Sequence, residues 1–215
     1  MLKLVFLLGH RKQMGKDSTC NLAETILNKN NVSFIRTSFA DKLKRHCAER
    51  YELDFAKMEF DDYKKSKPVH LNGLSVRDVL IKEGTFARQI WSDVWTSSTF
   101  FNIFTSGATV GLISDFRYPN EFNSFEATYL RWAKKNNLHN NPPPKVVRVL
   151  AHRPNGTFNS DGSDDQLPDL DPNYWDEVIL NSVEDVGWLE NMERQVYPMI
   201  QRNLDKYVLN SFKGS

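Results

Sequence analysis

Cysteine is almost missing from this chain: Cys20 and Cys47 are the only two, far apart, in 215 residues. That excludes a disulfide framework and a cysteine-built zinc site, and each thiol reads as a small buried apolar residue in a reducing compartment, the cytoplasm by default. An excess of charge is also missing. The 28 basic and 27 acidic residues leave a net charge of +1, so there is no electrostatic footprint for wrapping a nucleic-acid polymer, and any anion site must be local. No apolar run approaches the roughly 20 residues that span a bilayer. The opening run from Leu2 to Leu8 contains Lys3 and lacks a basic leader and a small-residue cleavage site, so neither a membrane anchor nor a secretory signal is expected. Internal repeats, coiled-coil heptads and the Asn-Lys-x-Asp signature of guanine binding are absent too.

What remains is an alternation. "LKLVFLL", "VSFIRTSFA" and "TVGLISD" have strand length and composition, and each is followed by a segment of helical periodicity. "KVVRVLA" and "EVILN" read as later strands, and "VEDVGWLENMERQVYPMIQRNL" as a closing helix. Strands alternating with helices predict an α/β domain with a mostly parallel sheet covered on both faces. Two stretches interrupt the pattern. Residues 41–105 carry helical patterns without a convincing strand, and residues 153–173 are rich in Pro, Gly, Ser, Asn and Asp, the composition of a long functional loop.

The opening strand runs into "GHRKQMGKDST", residues 9–19. A phosphate-binding loop needs glycines that let backbone N–H groups turn inward, a lysine for the terminal phosphates and a helix N-terminus behind them. Gly9, Gly15, Lys16 and Ser18 stand in that order, with His10 and Lys12 adding cations. The spacing differs from G-x-x-x-x-G-K-[ST] by one extra residue between the glycines and by Asp17 after the lysine. The alternative is an ordinary strand-to-helix turn with Asp17 favouring the helix dipole.

Two further stretches carry chemistry. In "GLISDFRYPNEF", Asp115 at the end of a strand beside the loop strand suits Mg²⁺ coordination. Arg117, two residues on, would share its face if the strand stays regular; alternatively Arg117 and Glu121 form a surface pair four apart. In "LSVRDVLIKEGTFARQIWSDVW", Arg77 and Arg88 lie among apolar and aromatic residues, including Trp95. Planar guanidinium groups grip phosphate with two parallel hydrogen bonds, and an aromatic face stacks on a base.

Taken in order, "GHRKQMGKDS", "SFADKLK", "VRDVLIKEGTFARQIWSDVW" and "ISDFRYPNE" resemble the deoxynucleoside monophosphate kinases of bacteriophages, P-loop kinases related in fold to adenylate kinase. The resemblance covers residues 1 to about 181 and implies a single P-loop kinase domain over 1–215, with 41–105 as the acceptor-binding region and 153–173 as a lid. It implies ATP and Mg²⁺ as cofactors, with Gly9, His10, Lys12, Gly15, Lys16, Asp17 and Ser18 on ATP. Asp41, Lys42, Arg77, Arg88, Trp95, Arg117 and Glu121 would serve the acceptor, and Asp17, Ser18 and Asp115 the metal. Lys16, Arg117 and Arg153 would be catalytic. Partners would be small nucleotides, with a homodimer possible, in the cytoplasm of the cell or of a viral host. Two other classes share the loop: a kinase for another small phosphorylated acceptor, and a nucleotide-binding regulatory ATPase.

Overall fold

The computed structural model describes residues 1–9, 14–138, 140–153, 171, 173–181 and 187–209. Five strands, β1 (Leu4–Gly9), β2 (Phe34–Thr37), β3 (Val110–Phe116), β4 (Lys145–His152) and β5 (Glu177–Leu180), form one sheet in the order β2-β3-β1-β4-β5. Every adjacent pair is parallel. The helices are α1 (Lys16–Lys29), α2 (Phe39–Arg50), α3 (Asp61–Lys65), α4 (Val76–Ile90), α5 (Val94–Thr105), α6 (Pro119–Lys135) and α7 (Trp188–Leu204).

β1 shows why its sequence is apolar throughout rather than alternating. Leu4, Phe6 and Leu8 point into a core shared with Ala23 and Leu27 of α1 and Met192 and Val196 of α7. Val5 and Leu7 point the other way, against Ile103 and Phe104 of α5 and Phe125 of α6. A central strand with helices on both faces has no solvent side on which a polar residue could sit. The expected α/β sheet, covered on both faces, is the one observed.

Residues 41–105 are helical, as their periodicity implies, and carry a small core of their own. Cys47, Leu53, Met58, Leu71, Val76 and Val79 pack together away from the sheet. One boundary differs from expectation: the strand expected over 32–40 stops at Thr37. Asp41 accepts the Ser38 backbone N–H at 2.9 Å and the Ser38 hydroxyl at 2.7 Å, which caps a helix beginning at Phe39. The closing helix begins at Trp188, after Gly187 in the left-handed region at φ 82°. Its Gln195 side chain pairs with the N–H and C=O of Leu180, so α7 satisfies the edge groups of β5 at that residue. Among the described residues no helix is long and apolar enough to cross a membrane.

Candidate functional site

A cavity of about 1180 Å³ opens at the carboxyl ends of β1, β2 and β3. Its first half is the strand, loop and helix that begin the chain. β1 ends at Gly9, where a Cβ would lie 2.4 Å from the Trp175 ring, so no other residue fits while Trp175 stays in place. Residues 10–13, with the candidates His10 and Lys12, lie outside the described residues. The described chain resumes at Met14, and Gly15 follows at φ 101°, a region that glycine enters without strain. A Cβ there would also sit 2.6 Å from Asn181 Nδ2. Asn181 is buried at the end of β5 and donates to the Met14 carbonyl at 3.1 Å, which fixes the residue before this turn.

α1 then starts at Lys16 after Gly15, an N-cap residue with no side chain to offer the first N–H groups. A helix leaves its first N–H groups without intrahelical partners, and the dipole adds about half a positive charge at that end. Lys16 is buried and Ser18 half-buried, and both line the cavity. Asp17 projects outward and forms an ion pair with Arg36 of β2 at 2.8 Å. Arg36 also donates to Asn21 Oδ1 at 2.7 Å.

The second half is built from the helical region and the end of β3. Arg88 and Trp95 line the cavity, and the Trp95 indole N–H donates to the Gly84 carbonyl at 3.3 Å. Leu43 and Leu80 add apolar wall beside them. Asp41 also lines it, though its carboxylate is engaged by Ser38. Lys42 and Arg77 are not brought to the cavity; Arg77 faces Asp61 at 3.4 Å. Arg153, the last residue described before the expected lid, does line it, whereas the lid's residues 154–170 and 172 lie outside the described residues.

The stretch after β3 departs from both sequence expectations. The strand ends at Phe116, so Arg117 sits in the turn that leads to Pro119, the first residue of α6, and shares no strand face with Asp115. Glu121 is no surface partner of the Arg117 side chain either. It is 6% exposed, and its Oε2 accepts the backbone N–H of Arg117 at 2.6 Å and of Tyr118 at 3.0 Å. Asp115 is engaged in the same way: its oxygens accept the N–H of Phe39 at 2.7 Å and of Ala40 at 3.0 Å, the first two residues of α2.

Seven basic and five acidic side chains line the cavity, which makes it a local cationic site in a nearly neutral chain. Each of the five acids is engaged: Asp17 by Arg36, Asp41 by Ser38, Glu59 by Lys44, and Asp115 and Glu121 by backbone N–H groups. Arg88 and Arg117, by contrast, make no side-chain hydrogen bond or ion pair among the described residues. Burial raises the Asp115 carboxyl above its ordinary range, against the pull of the two N–H bonds and Arg117. Burial, and then the neighbouring Asp115 carboxylate, push Glu121 up to about 8.

The Glu121 shift has a measurable consequence. In the unfolded chain this group ionises near 4.5, in the folded chain near 8, so between these values the native state holds a proton that the unfolded state has released. Stability therefore falls as pH rises through that window and levels off above it. Glu121→Gln keeps an oxygen for the two N–H donors and removes the titration. Urea unfolding of the wild type should lose more midpoint between about pH 5 and pH 8 than that of Glu121→Gln, and parallel profiles would contradict the assignment.

Sequence reasoning missed several residues of the wall, among them Arg36, Glu59, Lys64 and Asn181, and Trp175, which packs against Gly9. Arg36 offered a faint signal, a charge within a short apolar strand; Trp175 and Asn181 offered none.

No family model and no curated protein matches the chain. Among solved structures, an unliganded sugar kinase from Janibacter sp. is 13% identical with a TM-score of 0.44, covering 95% of this chain and 95% of that one. A gluconokinase from Sinorhizobium meliloti is also 13% identical with a TM-score of 0.44, covering 100% of this chain and 98% of that one. Likenesses this low decide nothing about substrate, and the functional reading rests on the cavity's own residues.

Proposed function

We propose that the chain is a phosphotransferase that moves the terminal phosphate of ATP to a nucleoside monophosphate, in keeping with the resemblance to deoxynucleoside monophosphate kinases. The observation that carries this reading is the pairing of two anion-binding features in one cavity. On one side stand the uncapped start of α1 and the buried Lys16; on the other stand Arg88 and Arg117, unpaired among the described residues. The cavity, about 1180 Å³, exceeds the roughly 300–1,000 Å³ of a single small-molecule site and suits two substrates side by side.

Within this reading, the loop and the N–H groups of α1 hold the β and γ phosphates, and Lys16 neutralises charge on the phosphoryl group in transfer. Arg88 and Arg117 grip the acceptor phosphate, while Trp95, Leu43 and Leu80 offer apolar surface to its base. Transfer needs positioning and charge neutralisation more than a strong base, in accord with a wall rich in arginine and without histidine among the described residues. Mg²⁺, bound with ATP, would neutralise charge between the β and γ phosphates. The hydroxyl of Ser18, at the cavity wall in the first turn of α1, fits it, with Asp17 beside it. Among the described residues no group of three or more His, Cys, Asp or Glu is placed to hold a metal by itself, which suits an ion carried in on the nucleotide's phosphates.

A sugar acceptor would leave the guanidinium groups of Arg88 and Arg117 without an anion. The test is ADP production from ATP with a panel of deoxy- and ribonucleoside monophosphates, other small phosphorylated acceptors, and unphosphorylated sugars and gluconate. Stimulation by a monophosphate is expected. Stimulation by a non-nucleotide alone would move the assignment to another small-molecule kinase, and slow hydrolysis indifferent to every acceptor would favour a regulatory ATPase.

A further inference from the structure

Two helices begin at the same cavity, and their N-termini are treated differently. α1 follows Gly15, which has no side chain to cap it, and its first residues Lys16, Asp17 and Ser18 line the cavity. α2 already has its anion, because Asp115 reaches from the end of β3 and takes the N–H groups of Phe39 and Ala40. The carboxylate lies where the positive end of the helix dipole favours it. We infer that Asp115 is a positioning residue for the acceptor half of the cavity: it locks the start of α2 to the end of β3 and leaves the acceptor's phosphate to the arginines.

This inference rests on the phosphotransferase reading of the cavity. Residues 37–41 all line it, so the angle at which α2 leaves β2 sets the shape of the acceptor wall. The junction is held at several points, among them the Thr99 hydroxyl, which donates to the Ser38 carbonyl at 3.4 Å. The Phe39 side chain is buried edge-on against Phe100 at 5.5 Å, Asp41 holds the Ser38 N–H, and Asp115 holds the next two. Asp115 is the side chain that hydrogen-bonds the start of α2 to β3, the strand that Arg117 directly follows, and it extends the β2–β3 ladder, which reaches Thr37 and Ile113. Both wall and guanidinium thus hang from the end of one strand. With each carboxylate oxygen accepting a helix N–H, Asp115 serves α2 first, and a direct bond to Mg²⁺ would have to compete with two hydrogen bonds of ordinary length.

The experiment uses full-length Asp115→Asn, which keeps one acceptor oxygen and loses the charge. Amide hydrogen exchange by NMR, without nucleotide, reads Phe39 and Ala40, with Leu4 and Phe6 of β1 separating local from global opening. Exchange at one or both α2 amides should rise about tenfold relative to β1, the size of a lost helix cap. With substrates varied separately, the acceptor KM should rise severalfold with a smaller change in kcat, and the Mg²⁺ concentration for half-maximal rate should stay put. Unchanged exchange at both amides would overturn the inference, as would a shifted Mg²⁺ dependence with an unmoved acceptor KM. A wild type that phosphorylates no monophosphate would instead remove the proposed function, and the exchange result would still judge the lock.

Discussion

Lys16→Ala is expected to lower kcat for phosphoryl transfer by about a thousandfold or more at saturating ATP and acceptor, with the fold intact. The two halves of this expectation come from different parts of α1. Its first residue is Lys16, buried at the cavity, where in the proposed function its positive charge would meet the phosphates at the helix end. Its stability comes from further along, where Cys20, Ala23, Ile26 and Leu27 pack on Leu4, Phe6 and Leu8 of β1. Alanine is the strongest helix former, so the first turn should persist without the lysine. Circular dichroism and the thermal midpoint should therefore barely change while single-turnover transfer collapses. Wild-type turnover in this variant would remove the phosphate-loop assignment altogether, because no other described residue of the loop supplies the charge.

The parts of this molecule that were legible in the sequence are those whose physics is local. A central strand covered on both faces must be apolar at every position, so β1 announced itself. The strand, loop and helix order of residues 4–29 is contiguous in the chain, and the glycine that permits a left-handed turn at 15 stands in plain view. What was not legible depends on pairing between distant segments. Trp175 meets Gly9 from a distant part of the chain, on the sheet face where it packs with Leu7, Phe116 and Leu150. Arg36 reaches Asp17 across the front of the sheet, which nothing in "VSFIRTSFA" reveals. Arg77 and Arg88 are a case where local reasoning gave half an answer. Eleven residues apart on α4, they share a face of the helix but stand about 16 Å apart along its axis, so one reaches the cavity and the other pairs with Asp61.

Arg117→Lys is expected to lower kcat/KM for the acceptor by about 10- to 100-fold, a loss of roughly 1 to 3 kcal/mol, while the KM for ATP barely moves. A lysine would keep the charge and lose the planar fork that matches two phosphate oxygens at once. The structure sharpens this expectation beyond the charge pattern. The backbone on both sides of Arg117 is pinned: Phe116 ends β3, and the N–H groups of Arg117 and Tyr118 are held by the buried Glu121. The side chain therefore leaves a rigid turn at the cavity wall, and its guanidinium, unpaired among the described residues, needs little reorganisation to meet an anion. Because Glu121 bonds the backbone and not the guanidinium, Lys at position 117 leaves those two hydrogen bonds in place, and stability should change by less than about 0.5 kcal/mol. A kinetic loss without a stability loss is the signature of a residue that serves the substrate. Steady-state rates with the monophosphate and ATP varied in turn, beside urea unfolding of the same variant, test both halves, and an unchanged kcat/KM for the acceptor would show that Arg117 does not hold its phosphate.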